Sequence, residues 1–397
     1  MNRTTKITIA FAAVLCLLTT LVVLLNINLE RSEIDSWSMF RHDPAHVGFS
    51  TSATPTTNQT LWKTETSGQI WSSPAVSNGM VYVGSFDRNV YALNASTGDI
   101  IWTFPTGGEV YSSPAVFEDV VYVGSFDHNI YALNASTGIQ LWNFATGGGV
   151  YSSPTVVEGT VYVGSDDGLV YALNAQTGKP LWNYTTGDKV QSSAAVSDGR
   201  IYIGSNDTNI YALDAITGKK VWNFTTDSYV ASSPIVYRGI VYAGSFDNNT
   251  YALNDTTGDL IWKRSTGYDI CMQASPAAHE GVLYTGSSGL LSFTSSGYID
   301  SFGSPVGDRI YALNATTGDS IWTFTTYGGL WSSPAVSDTA IFVGSGDNRL
   351  YVLNVATGTL QWSYETNGAI YSSPAVVDGV VYVGSYDGGV YVIGSAT

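Results

Sequence analysis

The spacing of the tryptophans constrains this chain more than any other feature. Trp62, Trp102, Trp142, Trp182, Trp222 and Trp262 stand 40 residues apart, and after one step of 60 the spacing resumes with Trp322 and Trp362. Self-similarity at a fixed period of this size marks a repeat architecture. Eight anchors therefore mean eight copies of one unit. One unit, Ser72 to Gly107, reads SSPAVSNGMVYVGSFDRNVYALNASTGDIIWTFPTG. Period-two alternation in VYVGS and VYALN marks strands. Asn78-Gly79, Phe86-Asp87-Arg88-Asn89 and Ser96-Thr97-Gly98 supply the turns between them. The unit thus predicts four strands, SSPAV, MVYVGS, NVYALNA and IIWTF, each of about five or six residues, the usual length. Helical and leucine-rich solenoids need other lengths and patterns. Four antiparallel strands recurring at this period predict propeller blades, opening at Ser72, Ser112, Ser152, Ser192, Ser232, Ser275, Ser332 and Ser372.

The two ends of the array interlock. The chain enters the repeats on a last-type strand, Leu61 to Glu65, and reaches Val390 to Ile393 on a third-type strand. The final blade lacks an outer strand, which the N-terminal segment supplies. Such pairing closes the ring without a covalent bond and removes the exposed edges of an open array. The expectation is an all-β, eight-bladed propeller of four-stranded antiparallel blades over 61–397, with a lead-in over 32–60.

Charge and composition narrow the function classes. Acidic residues outnumber basic ones 32 to 16, a net charge of -16. No basic patch exists to neutralise phosphates, so a nucleic-acid partner is excluded. With 12% charged and 44% hydrophobic residues, the chain is no disordered polyelectrolyte. Cys16 and Cys271 supply neither a disulfide framework nor a cysteine zinc site. Ile7 to Leu25 runs nineteen residues without a charge, behind Arg3 and Lys6. At ~1.5 Å per residue a helix here spans most of a ~30 Å hydrocarbon core. The positive-inside rule places the remainder of the chain outside the cytoplasmic membrane. No small-x-small cleavage site stands out between Leu25 and Arg31, and Leu15 before Cys16 argues against lipidation. Residues 1–31 are expected to form a cytoplasmic stub and an uncleaved single-pass anchor.

A motif runs through the second half of each unit. It reads Ala92, Asn94, Thr97, Gly98, Trp102; then Ala132, Asn134, Thr137, Gly138, Trp142; then Ala172, Asn174, Thr177, Gly178, Trp182; then Ala212, Asp214, Thr217, Gly218, Trp222. It continues through Gly258 with Trp262 and Gly318 with Trp322, and Gly358 with Trp362 departs only by Val352 in the alanine place. This resembles the blade motif of the pyrroloquinoline-quinone (PQQ) repeat, or quinoprotein-like, propellers. The resemblance covers Leu61 to the C-terminus, and the Trp37, Met39, Phe40, Arg41, Asp43, His46, Gly48 segment resembles the lead-in of exported members. It implies that each motif tryptophan, Trp62 included, docks between the alanine of its own motif and the glycine of the neighbouring blade's, stapling the blades together. It also implies two functional branches. The dehydrogenases carry an adjacent-cysteine disulfide, a calcium ion held by carboxylate and amide side chains, a catalytic Asp and long insertions; no adjacent cysteine pair is present here. The other branch is a cofactor-free scaffold of minimal eight-blade form, typified by a lipoprotein of the outer-membrane barrel-assembly machinery. This chain is closer in form to the second.

Several residue sets could carry chemistry, and each also has a structural role open to it. Asp87, Asp127, Asp167, Asp207, Asp247, Asp347 and Asp387 each stand four residues before a tyrosine. One Asp per loop falls short of the six to eight oxygens that calcium takes, so they are expected to accept backbone N–H bonds in hairpin turns. The repeated SSP serines suit a crowded inner strand, and a chain with four histidines cannot make triads of them. His42 and His46, four apart on a Pro-containing lead-in, have no helix to make them converge on a metal. No catalytic or metal-binding residue is expected.

Departures from the repeat carry more information. Just before SSP stand Trp71, Tyr111, Tyr151, Gln191, Ala231, Gln273, Trp331 and Tyr371. Read in ring order they give an aromatic arc over blades seven, eight, one, two and three, and a small or amide arc over blades four to six. They are expected to rim one mouth of the central channel. Blade six adds two residues in the Tyr268 to Gln273 stretch, with Cys271 and Met272, and eighteen between Gly286 and Asp308, both on that face. Ring-lining aromatics suit sugars, peptides or planar cofactors; the bland reading is packing between blades. Nine sequons, at Asn58, Asn94, Asn134, Asn183, Asn206, Asn223, Asn248, Asn254 and Asn314, overlap in part with the repeat's own turn. The expected function is a membrane-anchored, extracytoplasmic, non-catalytic scaffold that binds a protein or cell-surface polymer beside blade six. The alternatives are a PQQ-dependent dehydrogenase, with PQQ and calcium, and a carbohydrate-binding surface module served by the aromatic arc.

Overall fold

Eight four-stranded antiparallel sheets carry the fold. The structure, a computed structural model, describes residues 36–266, 274–287, 292–294, 297–299 and 308–395. The expected anchor helix therefore lies outside the described residues. In blade one the strands are Ala75–Ser77, Met80–Gly84, Asn89–Asn94 and Ile100–Pro105, paired in chain order. Val81, Val83, Val90 and Leu93 are wholly buried and Tyr82, Tyr91 and Ala92 are buried with them, so the period-two alternation expected of VYVGS and VYALN does not appear as burial: neighbouring blades cover both faces of the middle strands. The outer strand instead alternates, with Trp102 inward and Ile101 and Thr103 exposed. A β-bulge recurs in it. Ala92 pairs with Trp102 but Leu93 with Ile100, so Ile101 is the extra residue, and each other blade repeats the irregularity. A bulge of this kind sharpens the local twist.

The ring closes as the strand order requires. Gln59–Glu65 pairs antiparallel with Gly389–Gly394 and completes blade eight, with Trp62 opposite Val392.

The inner strands are shorter than the sequence suggests. They start at Ala75 and its counterparts rather than at the first serine, because the two serines bond through their side chains; blade four, with Ala194 in the place of Pro74, starts at the same point. The first serine works within its blade: Gly84 N–H donates to Ser72 Oγ at 3.0 Å, and six other blades repeat this. Blade six has Ala274 in that place. The second serine works between blades. Ser73 N–H donates to Ser113 Oγ, Ser113 to Ser153, and onward through Ser193, Ser233, Ser275, Ser333 and Ser373 back to Ser73, at 2.9–3.0 Å throughout. Eight serines thus form one closed belt around the channel.

Residues 37–50 form a floor under it. Each inner strand presents an unpaired edge, and buried backbone groups need partners. The floor segment meets all eight. Trp37 N–H donates to Val76 O at 2.9 Å, and Ser38, Pro44, Ala45, Val47 and Gly48 carbonyls accept from Val116, Val196, Val236, Ala278 and Val336 at 2.6–3.1 Å. His46 Nε2 bonds Thr155 Oγ1 at 3.0 Å in blade three, and Ser50 Oγ donates to Val376 O at 2.8 Å in blade eight. At its centre Arg41, 1% exposed, donates to the carbonyls of Pro276 and Pro334. Burial lowers the guanidinium to about 9, opposed by the charge of Asp43. Gly48, at φ +71°, is required here: a Cβ on it would lie 2.3 Å from the Arg41 Nη2 atom.

Candidate channel mouth

The antiparallel strand order sets two faces. The segment before each inner strand and the loop after each second strand emerge together at one mouth, opposite the floor. There Trp71, Tyr111, Tyr151, Gln191, Ala231, Trp331 and Tyr371 line the channel with the serine belt beneath them and Phe40 at the bottom. The space between them is about 70 Å³, room for a few waters.

The aromatic residues lie against one another. Trp331 and Tyr371 stack at 4.9 Å, Tyr111 and Tyr151 at 5.2 Å. Trp71 lies 5.1 Å from Tyr371, 5.7 Å from Tyr111 and, across a blade, 5.2 Å from Trp331. A second tier backs them. Phe86 is 4.3 Å and Phe126 4.6 Å from Tyr111, and Tyr386 is 5.4 Å from Tyr371. These three occupy the place after the Gly-Ser of the second strand, where the sequence reads as a turn. The one signal of their role is that this place is aromatic only in part of the ring. All of these rings are partly buried, so each keeps an edge in water.

Across the mouth the chemistry is polar. Asp166 accepts from Gln191 Nε2 at 3.2 Å and pairs with Lys189 Nζ at 3.0 Å. Burial, then the charge of Glu109, pushes Tyr111 up to about 12, and burial pushes Tyr151 higher still, so these two phenols stay protonated. The mouth therefore offers π faces, hydroxyl donors, one amide and the Asp166–Lys189 ion pair. Gln273, Cys271 and Met272 lie outside the described residues, as does most of the blade-six insertion, of which Ser292–Thr294 pairs with Gly297–Ile299 as a short hairpin.

The repeated aspartates are tied into the frame. Asp87 Oδ1 accepts the Asn89 N–H at 3.0 Å; its Oδ2 accepts the Tyr91 hydroxyl at 2.7 Å and the Ser67 N–H, from the preceding blade's exit loop, at 2.9 Å. Asp127, Asp167, Asp247 and Asp347 repeat this pattern. For Asp207 burial acts upward, but bonds from Tyr211, Gly187 and Asn209 hold the carboxyl below its ordinary value, and Asp387 behaves alike. His42 and His46 part company. His42 lies edge-on to Trp37 at 5.0 Å while His46 turns to Thr155.

The motif tryptophans sit at the seams. Gly98 packs on Trp62, Gly138 on Trp102, Gly178 on Trp142, Gly218 on Trp182, Gly258 on Trp222, Gly318 on Trp262 and Gly358 on Trp322, so closely that a Cβ would fall within 2.8 Å of each ring. Each indole N–H also donates to a carbonyl of the turn that covers it, as Trp102 does to Ala135 O at 2.7 Å. That bond is invisible in the sequence, since a backbone acceptor leaves no residue preference. Trp362 donates instead to Pro55 O of the lead-in, at 3.2 Å.

One family model, described as outer membrane protein assembly factor BamB, matches residues 50–112, 105–194, 166–296 and 306–397. No curated protein matches the sequence. Among solved structures, BamB from Moraxella catarrhalis aligns with a TM-score of 0.70 at 20% identity, covering 85% of this chain and 100% of that one. A europium-containing methanol dehydrogenase aligns at 0.77 and 16% identity, over 92% of this chain and 99% of its own. The quinohemoprotein alcohol dehydrogenase of Comamonas testosteroni aligns at 0.78 and 16% identity, over 93% and 83%. At such identities the shared property is the fold.

Proposed function

The chain belongs to the PQQ-repeat family described as outer membrane protein assembly factor BamB, and from that premise we propose that it is a non-catalytic binding scaffold whose partner docks on the aromatic mouth. The partner is a protein or cell-surface polymer, and the propeller is held outside the cytoplasmic membrane by the apolar segment Ile7 to Leu25. One observation carries the reading. The residues that break the repeat gather at a mouth of half-exposed rings, while the opposite end is sealed by the floor. Aromatic residues that keep part of their surface in water are enriched at recognition surfaces.

The dehydrogenase reading asks the same channel to hold a planar anionic quinone with calcium. Ligand pockets of that class run to ~300 Å³ or more with a few charged groups in place. The described lining is Phe, Trp, Tyr, Ser, Gln and Ala around about 70 Å³, and these residues do not fit the group.

The test is a photo-crosslinking residue placed at Tyr111, compared with one at Thr103 on the outer strand, in the producing cell. The scaffold reading expects a discrete adduct from position 111 and none from 103. Equal labelling at both, or none at either, would count against it.

A further inference from the structure

Seven of the eight seams close alike, with a Thr-Gly turn of one blade pressed on the tryptophan of the blade before it. The seam between blades seven and eight differs. There the lead-in takes the turn's place, Pro55 O accepts the Trp362 N–H, and among the described residues no glycine lies on the indole. Beside it opens a cleft of about 600 Å³, lined by residues 51–56, Asp338, Thr339, Gln361 and Trp362.

We propose that this cleft binds a neutral saccharide. Its volume falls within the roughly 300 to 1,000 Å³ of small-ligand sites. The partly buried Trp362, backed by Val352, gives a flat apolar platform for the C–H face of a pyranose ring. Around it stand hydroxyls of Thr51, Ser52 and Thr56, the Gln361 amide, which donates to Thr339 O at 3.3 Å while its oxygen stays available, and the Asp338 carboxylate, 74% exposed with its Oδ1 3.3 Å from His279 Nε2. That is a set of donors and acceptors with one apolar face, which suits a polyol.

Other classes fit less well. Among the described residues no Lys or Arg lines the cleft, and the imidazole beside Asp338, that of His279, is stacked on Phe49 behind it with its side chain 14% exposed, so an anion meets the carboxylate first. A single carboxylate is too few ligands for calcium. Thr54 is part of the wall, bonded to Ser337 Oγ at 2.7 Å and Thr339 Oγ1 at 2.5 Å. The Asp338-Thr339 turn joins the first and second strands of blade seven, so the cleft opens on the face away from the aromatic mouth. Its occupancy does not depend on the scaffold reading.

The experiment titrates the full chain in detergent with cellotriose, maltotriose and chitotriose into the millimolar range, following tryptophan fluorescence and saturation-transfer NMR. Saturable binding of at least one is expected, weakened about tenfold, or about 1.4 kcal/mol, by Asp338→Ala or Gln361→Ala. Both replace exposed side chains, so neither threatens the fold. Trp71→Ala should leave binding unchanged. Absence of binding by all three sugars, or binding that survives Asp338→Ala and Gln361→Ala intact, overturns the proposal.

Discussion

The two ends of the channel are built from opposite materials. At the floor, Arg41 and His46 are fully buried and the bonds run to the inner strands, eight blades held by one fourteen-residue segment. At the mouth, the rings of Trp71, Tyr111, Trp331 and Tyr371 pack on one another, and they remain partly in water. The floor therefore fixes the ring. The mouth presents apolar and hydrogen-bonding surface to whatever enters it. A single repeat can serve both ends because its two faces are set by different loops.

Substitutions that separate the ends should differ in size. Arg41→Ala removes a buried cation and strands the Pro276 and Pro334 carbonyls; a loss of about 3 to 5 kcal/mol is expected, read as a lower denaturant midpoint. Loss under ~1 kcal/mol would mean that the floor holds nothing together.

Acid should weaken the same end. Burial lowers His46 to about 4 from 6.5, with Asp43 opposing and Arg41 adding to the shift. The native state thus favours neutral imidazole and the unfolded chain takes up its proton first. Stability from this group is whole above pH 6.5 and declines by roughly 3 kcal/mol as pH falls to the folded value. Protein carrying His46→Gln should lack that decline. Parallel curves for the two proteins between pH 6.5 and 4 would remove the imidazole from the account.

Smaller effects are expected along the channel. Ser193→Ala takes away the acceptor of the Ser153 N–H and should cost about 2 kcal/mol, since a buried donor is left unmet; unfolding followed by amide exchange at Ser153 reads it. At the mouth, Trp331→Ala loses the ring contacts with Tyr371 and Trp71 and should cost only about 1 to 2 kcal/mol, while weakening the crosslink from position 111. A mouth variant that destabilises as much as Arg41→Ala would erase the distinction between the ends.

The legible part of the sequence is whatever repeats. Trp62 to Trp362 give the blades their number, the Thr-Gly turns their seams, and Leu61 to Glu65 the closing strand, because each is stamped several times on the same local chemistry. The floor leaves no such mark. Ser38, Pro44, Ala45 and Val47 act through backbone carbonyls, which place no demand on side-chain identity. The serine belt is half legible: SSP reads as small residues on a crowded strand, but its bonds join residues 40 or more apart. At the mouth, Trp71 and Trp331 stand out as departures from the repeat, whereas Phe86, Phe126 and Tyr386 are hidden inside an Asp-containing turn whose chemistry explains the segment without them.

The most direct measurement is a titration of the purified protein with pyrroloquinoline quinone and calcium, followed by tryptophan fluorescence, since Trp71 and Trp331 border any ligand entering the channel. A narrow channel lined by uncharged side chains and serving as a scaffold predicts no saturable quenching. Saturable binding at micromolar affinity or tighter, lost in Trp71→Ala, would contradict that account and make the protein a quinone-binding oxidoreductase.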